Sequence, residues 1–250
     1  MKQIPETVLN VLDAATKEGN RLVLTGQLDR SLYTAANKVI EAAGGKWSRK
    51  DKAHVFEGDA ADAIEQIILT GVVDRKQDLG QFDTPLAVAH IIMRFAAIKP
   101  GDYVLEPSAG VGRLVAEASN RGAIVDCYEI DPARVAKLRD LADTFATASH
   151  VACADFLTVT PKRVYDRVVM NPPFAKQADI DHVLHAAKFV KEGGKLIAVM
   201  AAGVMFRQNA KTMRFKEWLN ERTWFIEPLP EGSFKGSGTG VNTCLLYVDL

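Results

Sequence analysis

Apolar positions recur at helical spacing in the first part of the chain, and strand-like runs alternate with helical ones in the rest. Val8, Leu9, Leu12 and Ala15 fall on one face and predict a helix over 5–17. Residues 21–26 (RLVLTG) read as a strand. Leu32, Ala36, Val39, Ile40 and Ala43 again have helical spacing, with Asp29 or Ser31 as the cap and Gly44 and Gly45 at the end. Residues 46–56 read as a strand or short hairpin, and a helix over 60–69 follows, with Gly71 after it. The polar segment 74–80 (DRKQDLG) ends in glycine and marks a boundary. The expected organisation is a small α+β N-terminal region over 1–78 and a larger region over 79–250.

In the larger region strands are expected over 103–106, 124–130, 151–154, 168–170 and 196–201. Helices are expected over 112–120, 132–144, 180–190 and 211–221. This alternation predicts an α/β fold with a mostly parallel, Rossmann-like sheet covered by helices on both faces. Two last strands, 224–229 and 243–248, joined by a Gly-rich loop, are expected to pair antiparallel. In such sheets ligands sit at the C-terminal strand ends.

Composition adds limits. At 250 residues, 48% hydrophobic and 25% charged, the chain can build a sizeable core. The apolar run over 196–206 is too short to span a bilayer, and the N-terminus lacks a secretory pattern, so no membrane association and a cytoplasmic location are expected. Cys127, Cys153 and Cys244 are dispersed, which speaks against a disulfide framework or zinc cluster. His182 and His185 stand three apart on a predicted helix with no evident third ligand, so no metal is expected. The formal net charge is zero, so any nucleic-acid contact must come from local basic patches.

The candidate chemistry begins at the first long-region strand, which runs into Glu106-Pro107-Ser108-Ala109-Gly110-Val111-Gly112. Gly110 and Gly112 permit a tight turn and close approach of a ligand, and the next helix points its amides at the same spot. The third glycine of the dinucleotide fingerprint is missing, since Leu114 and Val115 follow, which argues against NAD. Glu129, 17 residues after Gly112, ends the second strand and can accept both hydroxyls of a ribose. Ile130 can pack on an adenine face. Asp155 and Phe156 end the third strand, where a carboxylate can accept from an adenine amino group and a ring can stack on it.

The fourth strand ends in Asn171-Pro172-Pro173-Phe174. Two prolines remove ladder donors directly after a buried strand, which suits a fixed turn with free carbonyls. An aromatic amino nitrogen is a poor nucleophile because its lone pair is delocalised. The Asn171 side-chain oxygen and the Pro172 carbonyl can hold its hydrogens and draw the lone pair out, while Phe174 offers a flat face to an unstacked base.

These motifs resemble those of class I S-adenosylmethionine-dependent DNA adenine-N6 methyltransferases. EPSAGVGRL is similar to their glycine motif, YEIDP to their ribose motif, ADF to their adenine motif and NPPF to their target-base loop. Phe82-Asp83-Thr84-Pro85 is similar to the threonine-proline motif that precedes the fold. The order matches their gamma arrangement over roughly residues 80–250, in a compact form like that of phage, prophage and plasmid enzymes. The resemblance implies that Thr84, with Pro85, and Glu106 hold the methionine end of S-adenosylmethionine, and that Ser108, Gly110 and Gly112 line its loop. It implies Glu129 and Ile130 at the ribose and adenine, Asp155 and Phe156 at the adenine, and Asn171, Pro172, Pro173 and Phe174 at the target. The reaction implied is direct methyl transfer with S-adenosylhomocysteine as product. RNA amino-group and DNA cytosine-N4 methylation use similar loops. Protein glutamine methylation and a catalytically idle DNA-binding module are further alternatives.

The enzymes this chain resembles usually carry a large target-recognition region after the catalytic fold. None is expected within these 250 residues, so the N-terminal region or loops are expected to read DNA, or sequence selectivity is low. DNA contact is therefore expected from Lys46, Trp47, Arg49, Lys50 and Lys52, where cations neutralise phosphates and Trp stacks or wedges, against a hairpin tip with Trp47 tucked inside. Lys235 in the Gly-rich loop over 232–240 is a second candidate, and a basic stretch from Arg207 to Arg222 reads as a charged helix face. A homodimer is compatible with the sequence.

Overall fold

A computed structural model describes residues 3–73, 83–145, 149–237 and 240–250. The polar segment over 74–80 and the 78/79 division lie outside them. The N-terminal part comprises α1 (Glu6–Ala14), β1 (Thr16–Glu18), β2 (Arg21–Val23), α2 (Arg30–Ala42), β3 (Lys46–Ser48), β4 (Ala53–Val55) and α3 (Ala60–Thr70). Helix α1 stops short of residue 17 because Ala15 turns extended and the Lys17 ammonium donates to the Leu12 and Asp13 carbonyls at 2.8 and 2.7 Å. Asp29 caps α2, accepting from the Leu32 amide at 2.9 Å, while Ser31 donates to Asp29. Gly71 closes α3 in the left-handed conformation that glycine adopts without strain. The strands form an antiparallel sheet in the order β1-β2-β4-β3. Leu12, Leu22, Ile40 and Ile64 lie at the centre of its core, fully shielded from solvent.

The rest comprises α4 (Leu86–Ala96), β5 (Tyr103–Glu106), α5 (Arg113–Ser119), β6 (Ile124–Glu129), α6 (Pro132–Ala142), β7 (Ser149–Cys153), β8 (Tyr165–Met170), α7 (Ala178–Ala186), β9 (Val190–Ala201), α8 (Gly203–Phe206), α9 (Ala210–Asn220), β10 (Trp224–Pro228) and β11 (Thr243–Asp249). The seven strands are ordered β10-β11-β9-β8-β5-β6-β7. Neighbours from β9 through β7 are parallel, and β11 runs antiparallel to both β9 and β10. One face packs on α4, α5 and α6 through Ile92, Val115 and Leu138, and the other on α7 and α9 through Val183 and Phe215. Each such fully buried apolar side chain contributes about 1.5–3 kcal/mol. This is a Rossmann-like α/β fold preceded by a small α+β N-terminal part.

Besides the early end of α1, which leaves 16–18 to β1, and the end of α7 at Ala186 where a helix over 180–190 is expected, the structure differs from the sequence-based expectation at α4 and β9. Helix α4 is not among the expected elements, although its exposed Leu86, Ala87, His90 and Arg94 stand opposite buried Val88, Ala89, Ile92, Met93 and Ala96 at helical spacing. Strand β9 begins at Val190, not 196, and runs through Gly193 at φ +74°, opposite a register shift between Tyr165 and Arg167.

Helices α1 and α3 meet the segment after α8 at a buried polar seam. The Arg207 side chain, 3% exposed, lies 2.8 Å from Glu65 on α3 and 3.6 Å from Asp13 on α1. Nearby, the buried Asp179 carboxylate accepts from the amides of Ala201 and Ile180, joining the start of α7 to the end of β9. Burial pushes its carboxyl up to about 7 against those hydrogen bonds. Removing Arg207 would leave two shielded carboxylates facing each other. Arg207→Ala should therefore lower the free energy of unfolding by about 3–5 kcal/mol in urea titration, and a decrease below about 1 kcal/mol would show that the seam is solvated.

Candidate active site

The C-terminal ends of β5, β6, β7 and β8 surround a cavity of about 270 Å³. Its wall includes Ser108, Gly110, Glu129, Ile130, Asp155 and Phe156 from the expected cofactor motifs. Asn171, Pro172, Pro173 and Phe174 line the same cavity. Strand ends that are distant in sequence thus share one pocket.

Glu129 organises the cofactor side. One carboxylate oxygen accepts from the Gly110 amide at 2.8 Å and the other from the Asp131 amide at 2.9 Å. The buried side chain therefore fixes both the glycine turn and the start of α6, and it faces the cavity while doing so. Asp131 caps α6 through the Ala133 amide, so its role is local. Gly110 adopts φ +56°, and a Cβ there would lie 3.3 Å from Arg134 Nη1. Gly112, at φ +87°, is needed for a different contact: a Cβ would lie 2.5 Å from Leu141 Cδ2 and 2.8 Å from Leu138 Cδ2. Its bare face lets α6 close on the turn, and it is not part of the cavity wall.

Glu106 lies one layer below the wall, 1% exposed. One oxygen accepts from the Ser108 amide at 3.0 Å, while the other, Oε2, is buried without a hydrogen-bond partner. Desolvation pushes its carboxyl up to about 8, with the neighbouring Glu129 charge adding to the shift. A buried, unsatisfied acceptor beneath a nucleoside-sized pocket suits a cationic ligand group. Asp155 accepts from the Leu157 amide at 3.0 Å and still lines the pocket. Phe156 is buried among the rings of Tyr128, His182, His185 and Phe189, with its nearest ring centroid at 5.0 Å. Together the glycine turn, the carboxylates and the apolar walls of Ile130 and Phe156 fit S-adenosylmethionine.

On the target side, Asn171 Nδ2 donates to the Thr84 hydroxyl at 3.1 Å. Thr84 is buried and does not line the cavity; Pro85 next to it is the residue before α4. The threonine-proline motif thus orients the target-side asparagine, a contact between residues 87 apart in sequence. The Asn171 carboxamide uses its nitrogen in this bond, and its oxygen is the atom chemically able to accept from an amino group.

Pro107, Arg134, Ala154 and His182 also line the cavity and were not singled out as site residues from sequence. His182 lies 3.4 Å from the Ser108 hydroxyl, and burial holds its imidazole below the usual histidine range. Its neighbour His185 meets the Val159 carbonyl at 3.0 Å. Arg134 lies 3.5 Å from Asp83, just ahead of Thr84.

The basic candidates divide sharply. Trp47 is 52% exposed and packs edge-on against His54, so it is not tucked into the small core. Lys46, Arg49, Lys50 and Lys52 are exposed around it on the β3–β4 hairpin, and Lys235 is exposed in a short turn after Gly232. In the later stretch, Arg207 is buried in the seam, Lys211 pairs with Asp181 at 2.6 Å, and Lys216 donates to the Met205 and Arg207 carbonyls. Among the described residues no helix is long and apolar enough to cross a membrane.

Residues 88–222 match the family model described as "Methyltransferase small domain". Over 98 residues the chain is 35% identical to "Probable ribosomal RNA small subunit methyltransferase A" of Methanosarcina mazei, covering 39% of this chain and 35% of that protein. Over 101 residues it is 38% identical to an "rRNA methyltransferase" of Streptomyces thermotolerans, covering 38% of this chain and 32% of that protein. The chain thus spans about a third of the length of these relatives. The crystal structure of the 23S rRNA methyltransferase ErmE superposes with a TM-score of 0.52 at 25% identity, covering 68% of this chain and 69% of that one. The match takes in more than half of the sequence and the strand ends that form the cavity, and the chain belongs to the methyltransferase small domain family of S-adenosylmethionine-dependent enzymes.

Proposed function

We propose that the protein transfers a methyl group from S-adenosylmethionine to the exocyclic amino nitrogen of adenine in nucleic acid. The observation that carries this reading is the shared cavity, in which the Asn171–Phe174 turn faces the Gly110 and Glu129 side. When bound, S-adenosylmethionine supplies an electrophilic methyl group on a sulfonium. Glu129 seats the ribose, Asp155 and Phe156 border the adenine, and Glu106 supplies negative charge beneath the methionine end. The Asn171 oxygen and the Pro172 carbonyl accept the two amino hydrogens and turn the nitrogen lone pair toward the donor. Positioning and preset dipoles carry most of the acceleration.

RNA is the polymer favoured by the relatives at 35% and 38% identity, whose names specify ribosomal RNA. DNA is the second reading, supported by the Thr84–Asn171 bond that joins the threonine-proline motif to the target turn. The exposed Trp47 hairpin and Lys235 would meet the polymer backbone in either case. Incubation with labelled cofactor and parallel RNA, duplex DNA, single-stranded DNA and protein extract, followed by nucleoside mass spectrometry, separates these readings. N6-methyladenine in RNA or DNA supports the adenine reading and identifies the polymer. Label confined to protein, cytosine or guanine overturns it.

Asn171→Ala should reduce methyl transfer by about 100-fold or more while leaving cofactor affinity within about twofold, measured by single-turnover kinetics and calorimetry. A parallel fall in cofactor binding would remove Asn171 from the target side.

Glu106 gives a pH signature. Its folded carboxyl is raised to about 8, so its contribution to stability is complete below the ordinary carboxylate range and is lost as pH rises toward about 8. Cofactor-free protein should melt at lower temperature at pH 8 than at pH 5, and Glu106→Gln should flatten that slope. A bound cation favours ionised Glu106, so cofactor affinity should rise with pH across the same window in the parent and not in the variant. Parallel affinity profiles would dissociate Glu106 from the cofactor.

Replacing Lys46, Arg49, Lys50 and Lys52 by glutamine should weaken nucleic-acid binding and reduce the slope of log K against log salt by about 0.7–0.9 for each phosphate that is no longer neutralised. An unchanged slope would make the hairpin a solvated surface.

A further inference from the structure

The turn that follows Phe174 has an unusual backbone. Lys176 and Gln177 are consecutive non-glycine residues at φ +55° and +57°. Side chains in that region crowd the backbone, so such a pair persists only where surrounding contacts over-determine it. The Gln177 amide donates to the Phe174 carbonyl at 3.1 Å, tying the left-handed pair directly to the target turn.

The contacts that hold it come from far along the sequence. Gln177 Nε2 donates to the Thr212 hydroxyl at 2.7 Å, and Thr212 is fully buried. Asn209 Nδ2 donates both to Gln177 Oε1 at 2.9 Å and to Asp13 Oδ2 at 3.0 Å. Asn209 Oδ1 accepts from the Thr212 amide at 3.0 Å, so the same side chain also caps α9. Asp13 belongs to α1, and its other oxygen faces Arg207, which pairs with Glu65 on α3. The exposed Lys176–Asp62 pair at 3.4 Å adds little beside these shielded bonds.

We propose that Gln177 and Asn209 are positioning residues: they hold the 176–177 pair left-handed and tie the turn after Phe174 to α1 and, through Arg207, to α3, so that the seating of the N-terminal layer sets the geometry of the target-base turn. The proposal rests on the reading that Asn171–Phe174 receive the target base, but the relay has a physical readout of its own. A displacement of about 1 Å at a reacting group can cost about 100-fold in rate, so a turn held from outside its own sequence is a place where the N-terminal layer controls turnover.

Amide hydrogen exchange on the full chain without substrate tests the relay directly. Asn209→Ala and Gln177→Ala should speed exchange at 174–177 roughly 5- to 10-fold, with β5 and β6 unchanged. Glycine adopts a φ in this region without strain, so Gln177→Gly removes the same side chain together with the strain and should exchange more slowly than Gln177→Ala. Gln177→Glu keeps an acceptor for Asn209 and for the Thr212 hydroxyl, and should retain most of the protection. Where methyl transfer is measurable, Asn209→Ala and Gln177→Ala should lower kcat about 10- to 100-fold with cofactor KM unchanged. Unchanged exchange at 174–177, or a rise spread evenly over the central sheet, would overturn the relay. Absence of methyl transfer by the parent protein would instead overturn the substrate reading, and the exchange result would still decide the relay.

Discussion

The active-site cavity depends on one buried carboxylate. Glu129 bonds the Gly110 amide with one oxygen and the Asp131 amide with the other, so the loops after two adjacent parallel strands are locked to each other. Charge-assisted bonds to backbone amides are about twice as strong as neutral ones, and here both are shielded from water. The glycine turn cannot relax without breaking one of them. Gly112 supports the same arrangement from behind, because its missing Cβ lets α6 press Leu138 and Leu141 onto the turn. Geometry that a cofactor must find ready-made is thus fixed by the chain's own acceptors and by one absent methyl group.

The target side is held by a different method. Asn171 is oriented by Thr84, which stands ahead of α4, and the turn after Phe174 is bonded to Asn209 and Thr212 at the start of α9 and linked, only through Asn209, to Asp13 on α1. No single element contains the site. The central sheet supplies the strand ends, while segments before and after it supply the hydrogen bonds that aim the side chains. Two groups within this framework, the desolvated Glu106 carboxyl and the lowered imidazole of His182, both sit where a charged small molecule would alter them.

Much of this was legible in the sequence. The strand–helix alternation implied the parallel order, and the antiparallel pairing of β10 with β11 followed from two strands around a glycine-rich loop. Glu129 and Asn171 stood out because their chemistry depends on position at a strand end, which local pattern reveals. Helix α4 carries a periodic signal too, with Leu86, His90 and Arg94 exposed opposite buried Ala89, Ile92 and Ala96, but it stands ahead of the first long-region strand, outside the strand–helix alternation. Arg134 and His182 face the cavity from the helices that follow β6 and β8, and only the packing of those helices makes them neighbours of Ser108 and Gly110. Arg207 read as one charge on a helix face, yet it is among the most buried polar side chains, because its partners Asp13 and Glu65 come from the other end of the chain.

The left-handed pair at 176 and 177 has a consequence for how sequences of this kind can diverge. A lysine and a glutamine are poor local instructions for that backbone, and they persist only while distant side chains enforce it. A related chain that loses the partners of Asn209 must encode the turn within itself, with glycine or asparagine at these two positions. Residue identity two and three places after the phenylalanine therefore becomes a historical marker. It records whether a lineage keeps its target loop in shape by local conformational preference or by borrowed contacts from a neighbouring layer.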